Sequence, residues 1–580
     1  MSKDKQRDAR YIFDDVVIDS ANFLVLKEGR RKKITPRAFN VLLYLIEQRG
    51  RLVKKQELFE AVWEGTFVTD NALTRMIKEI RHCLGDVADA PRYIETVPKH
   101  GYRFIASIRM DDGPTSIVET NEEAGIDSIA VLPFVNLSHD PDKEYLSEGI
   151  TESIINSLSQ LSGLRVVPRS TVFYYQGKNF SPEEVGRELK VRAVLTGRLM
   201  ERQGTLVIKT ELIDVLKELQ LWGEHYHRTG LDLFVVQEDI SREISEKLRL
   251  KLSHEERQRL THRPTASPEA YQLYLKGRYF WNRRPQGLIK GIEYFEQALS
   301  LDPQFALAYS GLADSYSTLG SWENGGLPPT EAMPLARVSA LKALEIDDTL
   351  AEAYAALAYE QLHYDWNLVE AGANFKHSFE LNARYVHANH WYSHHCMARG
   401  AIEESLDYSR RALQLDPLDL IINAHMIWHY WLARQPDEAL LQAEKTRELD
   451  QNAFWPDFFA GLAFDQKGMY EESVAEFQKA ERLSGEVTFL KAALGRVLGL
   501  SGKKRQARLI LGELEAMKKR RYVPAYDFAI IHTGLEEDDL ALDWLRKASR
   551  ERSGWLAYIK VEPRLDGLRS REEFADLIKL

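Results

Sequence analysis

Six short strings in the C-terminal half of this chain recur at nearly equal spacing: ALSLDP (298–303), ALEIDD (343–348), SFELNA (378–383), ALQLDP (412–417), TRELDQ (446–451) and AERLSG (480–485). Their aliphatic anchors, Leu301, Ile346, Leu381, Leu415, Leu449 and Leu483, lie 45, 35, 34, 34 and 34 residues apart. Each unit of such a period is one supersecondary element that cannot bury its apolar face alone, so the units must stack on one another. Small residues and aromatics precede the strings, as in Tyr309, Gly311, Leu312, Ala313 and Tyr316, or Tyr354, Leu357, Ala358 and Tyr359. The pattern predicts paired helices from residue 269 to residue 580. The 45-residue interval is read as a repeat with an insertion at 321–329, SWENGGLPP, which has loop composition. Beyond Leu483 the pattern decays, and 564–580 is expected to be an atypical cap.

A repeat array leaves more than 250 residues to explain. At 580 residues the chain exceeds what one core supports, and three or more domains are expected. With 44% hydrophobic and 28% charged residues it is neither a disordered nor a fibrous protein. No apolar run approaches the ~18 residues needed to cross a bilayer. The opening MSKDKQRDAR has no apolar segment behind its charges and does not read as a secretory leader. Cys83 and Cys396 are far apart and suggest free thiols in a reducing compartment, so a cytoplasmic protein without a membrane partner is expected. The net charge of −10 is uneven: residues 1–110 hold 21 Lys and Arg against 15 Asp and Glu, the remainder 56 against 72. A basic head on an acidic body fits a polyanion-binding module joined to a body that does not bind polyanions.

Within the head, 13–18 and 23–26 read as strands. Thr35-Pro36 starts a helix, since Thr can cap and Pro suits the first helical position. Phe39, Leu42, Leu43 and Ile46 form its inner face, and Gly50 closes it. A second helix places Leu58, Ala61 and Val62 inward, with Trp63 near its end. The third, 69–84, turns Leu73, Ile77, Ile80 and Leu84 to one side. Its other side carries Asn71, Thr74, Arg75, Lys78, Arg81 and His82, all able to donate hydrogen bonds to a base edge or phosphate, with Glu79 the only acid nearby. A hairpin is predicted at 93–104, its tip Pro98-Lys99-His100.

The order strands, three helices, hairpin resembles the winged helix-turn-helix of OmpR/PhoB-type regulators, and most closely the CadC and ToxR subgroup. The matching residues are Gly50, Val53, Leu58, Trp63, Val68, Leu73, Ile80-Arg81, Leu84-Gly85-Asp86, Tyr93 to Val97 and Gly101 to Phe104. The resemblance implies that helix 69–84 enters the major groove while Lys99 and His100 reach the adjacent groove or its phosphates. It also implies double-stranded promoter DNA as partner, RNA polymerase as a second contact and a homodimer on repeated half-sites. Two departures matter. No receiver domain precedes the head, so receiver phosphorylation is not the expected switch, and the transmembrane helix of the CadC and ToxR type does not follow it.

Residues 111–125, DDGPTSIVETNEEAG, read as a flexible linker. From Ile126 an α/β pattern begins: a strand at 129–134, a helix at 145–161, a strand at Arg165, a capped helix from Ser181, strands at 191–199, 205–213 and 219–227, and a helix at 231–251. Ala130 to Phe134, Gly186 to Leu189, Val194 to Arg198, Leu221-Trp222, Phe234 and Gln237 make 126–252 similar to the TolB-amino-terminal-like domain found between effector heads and helical repeats. There is no phosphate loop and no dinucleotide fingerprint. His225 and His227 share one side of a strand without a clustered third ligand, and Glu148 and Glu152, one helical turn apart, read as a solvated face. No catalytic residue, cofactor or metal is expected.

After a linker at 253–268, the 34-residue period is the tetratricopeptide signature. Such superhelices bind a protein or peptide on their concave side and seldom carry catalysis. His387, His390 and His394 fall at i, i+3 and i+7, a spacing compatible with a metal, but Trp391 and Tyr392 beside them are ordinary packing residues of a first helix, and the histidines are read as packing or surface groups. The expected fold is therefore a multidomain α and α/β chain: winged helix-turn-helix head, α/β middle domain and all-α tetratricopeptide superhelix. The expected function is sequence-specific transcriptional regulation through helix 69–84 and wing 93–104, controlled through the middle domain and repeats. The alternatives are a tetratricopeptide scaffold with weak or vestigial DNA binding, and an enzyme acting on a nucleotide in the middle domain.

Overall fold

The computed structural model describes residues 10–110 and 126–579, apart from 21–23, 28–29, 33, 64–69, 89, 98–99, 139, 162, 179, 203–204, 230–232, 249, 251, 255, 257–259, 261–262, 322 and 324–325. The chain forms two units, Met1–Glu123 and Ala124–Leu580.

In the first unit the expected strand at 13–18 is instead a hairpin. Strand β1 (Arg10–Phe13) pairs antiparallel with β2 (Val16–Asp19) across Asp14, whose φ of 46° lies in the left-handed region that Asp tolerates in tight turns. Strands β3 (Leu24–Lys27) and β4 (Arg30–Arg31) continue the sheet, and β8 (Arg109–Met110) returns to pair with β1. Helices α1 (Pro36–Glu47), α2 (Lys55–Trp63) and α3 (Asp70–Leu84) follow, with the short strand β5 (Val53–Lys54) between the first two. Strands β6 (Ile94–Val97) and β7 (Gly101–Phe104) form the hairpin, and β5 pairs with β7. Phe13, Leu42, Ile46, Leu58, Leu73, Ile77, Ile80, Tyr93 and Phe104 make one core. Ala61, expected inside, is exposed.

The second unit opens with a mixed sheet. Strands β9 (Ser128–Val131), β11 (Arg165–Val166) and β12 (Ala193–Arg202) run parallel, as does β10 (Val135–Asn136) beside β12. Strands β13 (Thr205–Asp214) and β14 (Leu219–Thr229) add an antiparallel meander. Gly197 of β12 lies under the Phe134 ring: a Cβ there would sit 2.4 Å from a ring carbon, so the close packing requires glycine. Helices α4 (Glu144–Ser159), α5 (Arg169–Phe173), α6 (Pro182–Glu188) and α7 (Leu233–Lys247) complete the segment. The cap foreseen at Ser181 is a full capping box with Glu184.

Eight antiparallel helix pairs follow among the described residues, from Pro268–Trp281 with Leu288–Leu301 to Ala525–Leu535 with Asp538–Arg550. Two of these pairs lie beyond Leu483, where the sequence pattern fades but the architecture does not. The extra length of the 45-residue interval is divided between the stretch before Pro329, part of which lies outside the described residues, and helix Pro329–Ile346 itself, 18 residues long against 14 for Leu288–Leu301. In each string the deeply buried position is the small residue three places before the anchor: Ala298, Ala343, Ser378, Ala412, Thr446 and Ala480 are all at 0% exposure, whereas Leu301 is 54% exposed. Past the last pair, the 3-10 turn Gly554–Tyr558 packs back on the π turn Gln361–Asp365. Tyr558 hydroxyl meets His363 Nε2 at 2.8 Å, and its ring lies 4.7 Å from that of Trp428.

The middle sheet and the repeats share polar contacts that correct the reading of α4. Glu148 and Glu152 are buried, not solvated. Glu148 pairs with Arg169 and with Arg283 at 2.7 Å. Glu152 pairs with Arg169 and Arg278, each at 2.9 Å, and accepts from Asn282 at 2.7 Å. Burial alone would raise the Glu152 pKa, but Arg278 and Arg169 outweigh it and hold the carboxyl below its ordinary value. From α5, Thr171 donates to Asp416 at 2.8 Å, and Ser170 donates to the same carboxylate. His225 and His227 are exposed on the outer face of β14.

Candidate nucleic-acid interface

Helix α3 owes its orientation to contacts on three sides. Leu73, Ile77, Ile80 and Leu84 are buried in the head's core, together with Cys83, whose thiol pKa is pushed up to about 11 by burial. Glu79 is engaged with the start of α1: it accepts the Thr35 backbone N–H at 2.5 Å and the Thr35 hydroxyl at 3.1 Å. Thr35 caps α1 by position, but its side chain accepts no bond from that helix's first turn, and α3 supplies the acceptor for its backbone N–H and hydroxyl. At the other end Lys27 Nζ donates to the Leu84 carbonyl at 2.6 Å, a cation placed at the negative end of the helix dipole.

What remains outward on α3 is Thr74, Arg75, Lys78 and His82, all exposed. Arg75, Lys78 and His82 fall at i, i+3 and i+7 and so line one stripe of the cylinder. Asn71 lies in the first turn of α3, but its side chain is outside the described residues, as is Thr69. Arg81 departs from the expectation. Its guanidinium donates to the Ile94 carbonyl and to the Thr96 hydroxyl, each at 2.8 Å, which points it along the hairpin instead of outward.

The hairpin is fixed from several sides as well. Buried Asp86, in the Gly85-Asp86 pair after α3, accepts backbone N–H bonds from Val87 at 3.1 Å, Arg92 at 2.6 Å and Ile94 at 2.9 Å. Tyr93 donates its hydroxyl to Asp14 at 3.2 Å, and Arg92 pairs with the same carboxylate at 2.9 Å. Gly101 faces β5 so closely that a Cβ would lie 1.9 Å from the Val53 carbonyl oxygen. Glu95 and Arg103, directly opposite in register, form a cross-strand ion pair at 3.1 Å. At the tip His100 is exposed in the turn, while Lys99 and Pro98 lie outside the described residues. A stripe of hydrogen-bond donors on a helix, rigidly joined to a projecting two-stranded wing, is a geometry that can occupy a major groove and its neighbouring groove together. The positioning residues Lys27, Glu79 and Asp86 were not foreseen. Only Asp86 left a signal in the sequence, through its place in the Leu-Gly-Asp motif.

Parts of this chain are similar to known proteins. Residues 29–104 match the family described as "Transcriptional regulatory protein, C terminal", and residues 125–264 match "HilA/YgeH-like transcriptional regulator, second domain". The second match bears a regulator family's description, where the residues of 126–252 resembled a TolB-amino-terminal-like domain. Transcriptional regulator HilA of Salmonella typhi is 23% identical over 454 residues, 76% of each chain. Putative adenylate cyclase 3 of Rhizobium meliloti (strain 1021) is 36% identical over 236 residues, which span 40% of this chain and only 39% of that relative. Among solved structures, the Klebsiella pneumoniae RstA DNA-binding domain in complex with RstA box is 26% identical, covering 17% of this chain and 96% of that domain with a TM-score of 0.16. No described helix is long and apolar enough to cross a membrane.

Proposed function

We propose that this winged-helix transcriptional regulator reads double-stranded promoter DNA in the cytoplasm with the outer stripe of α3, while the β6–β7 wing rests on the adjacent groove. The observation that carries the reading is the division of labour on α3. Among the described side chains, Glu79 holds α1, Asp86 and Arg81 hold the wing and Lys27 holds the helix end, while Thr74, Arg75, Lys78 and His82, all exposed, can donate. Arg75 and Lys78 are assigned to base edges, Thr74 and His82 to bases or phosphates, and Lys99 and His100 to the wing's contact. Asn71 joins the first group by its place in the helix. Phosphate neutralisation supplies most of the affinity and these few side chains the sequence preference. In this reading 1–110 is the DNA-binding domain, 111–125 a linker, and 126–252 and 269–580, joined by 253–268, the regulatory body. That body takes a protein or peptide partner, RNA polymerase is a further contact, and two copies meet on repeated half-sites. The chain is not an enzyme.

Selection of random duplexes by the full-length protein tests this. Enrichment of one short sequence, lost together with its footprint in Arg75→Ala, is the expected result. Equal retention of all duplexes, or no retention even at low salt, would favour a protein-interaction scaffold and overturn the reading.

A further inference from the structure

The spacing that brought His387, His390 and His394 together on paper is not the one the fold uses. His387, largely buried, sits against Trp391 and Trp281, with ring centroids 5.6 and 6.0 Å apart. His390 and His394, on helix Val386–Ala398, meet instead His425 on helix Leu420–Leu432, the first helix of the next repeat. All three are buried. His390 Nε2 is 3.0 Å from His425 Nδ1, His425 Nδ1 is 3.1 Å from His394 Nε2, and His394 Nε2 is 3.3 Å from His390 Nε2.

Three imidazole nitrogens in a closed triangle cannot all be satisfied by hydrogen bonds among themselves. In a neutral ring each nitrogen is either an N–H donor or a lone-pair acceptor. With two kinds of atom at three corners, at least one edge joins two donors or two acceptors. A cation on the triangle removes the conflict, because all three corners then present lone pairs to it. The dimensions fit: three nitrogens bound tetrahedrally at about 2.0–2.1 Å from a zinc ion are about 3.3 Å apart.

The insertion supplies an orienting group. Glu323, from the loop within the 45-residue interval, places its carboxylate 3.4 Å from His425 Nε2, the ring nitrogen opposite the triangle. A carboxylate behind a ligating imidazole fixes its tautomer and orientation in metal sites.

We propose that His390 Nε2, His394 Nε2 and His425 Nδ1 bind one divalent transition-metal ion, with zinc the ion that suits this donor set, and that Glu323 positions His425. The ion ties the first helices of two successive repeats together and leaves a fourth position for water.

The full-length protein, stripped by chelator, tests this when titrated with Co²⁺ and then Zn²⁺. One equivalent of Co²⁺ should give the visible absorption of a four-coordinate ion, displaced by one equivalent of Zn²⁺, and Zn²⁺ should raise the melting temperature. His394→Gln and His425→Gln should abolish the band, His387→Gln should keep it, and Glu323→Gln should weaken zinc affinity about 10–100-fold. The wild-type spectrum needs no variant to fold: absence of a stoichiometric band there overturns the site. So does a band that survives both substitutions within the triangle, or one that is lost with His387→Gln.

Discussion

At the scale of single residues, the head separates outward donors, assigned to DNA in the proposed reading, from side chains that hold α3 and the wing in place. Arg75 and Lys78 are outward, whereas Arg81 is held by Ile94 and Thr96 of the wing. Replacing Arg75 by Ala should cost about 1–3 kcal/mol of affinity for the selected sequence and relax its preference at one base position, measured by equilibrium binding to single-base variants of the site. Arg81→Ala should behave differently. Affinity should fall because the wing loses its tie to α3, yet the slope of log affinity against log salt should stay that of the wild type, since no phosphate contact is removed. A slope lowered by about one would instead place Arg81 on a phosphate. Asp86→Ala strands the backbone donors of Val87, Arg92 and Ile94, which should open the wing by about 1–3 kcal/mol, read as faster amide exchange at residues 92–97. The sequence displayed the outer stripe of α3 because helical periodicity is local. It hid the fate of Arg81 and Glu79, because their partners lie 13 and 44 residues away and no spacing rule connects them.

At the scale of elements, local signals placed most of the boundaries. Proline at the first turn, a cap residue, strand-like runs and the 34-residue period announced α1, α6, β12 to β14 and the repeats. Other elements were invisible for definite reasons. Strand β5 is two residues long and exists because β7 pairs with it, and α5 spans five residues with no hydrophobic period to detect. Glu148 and Glu152 on α4 look solvated because charge one helical turn apart usually is. They are buried because Arg278, Asn282 and Arg283 arrive from a helix more than 120 residues later. Removing one partner of a buried pair leaves the other charge uncompensated, so Glu152→Gln should destabilise the second unit by about 3–5 kcal/mol in denaturant titration. His425 belongs to the same class: it lies 31 residues from His394, in the next repeat, where only stacking brings the two rings together.

For the molecule as a whole, the sheet of residues 128–229 and the helical repeats belong to one unit, and its stability should follow its buried acids. Burial pushes Asp314, Glu360, Asp416 and Asp527 up to about 7. Between an unfolded value of about 4 and a folded value near 7, the folded chain holds more protons than the unfolded one, so stability declines as pH rises through that window. Glu152 works in the opposite direction: its contribution is present above the ordinary carboxylate range and is lost below it. The melting temperature should therefore be highest at about pH 5 and fall toward pH 8. Asp416→Asn should flatten part of that fall, since Ser170 and Thr171 would then face a group that never ionises.

The turn Gly554–Tyr558 carries a further implication, for synthesis. It seals the inner side of helices made 195 residues earlier, where His363 meets Tyr558 and where Trp428 is fully buried. On a ribosome adding about 5–20 residues per second, the side chains around His363 wait roughly 10–40 s for that seal. Trp428, made 130 residues before Tyr558, lacks that ring contact for roughly 7–26 s, so early repeats are the stretch of this chain on which a chaperone would act.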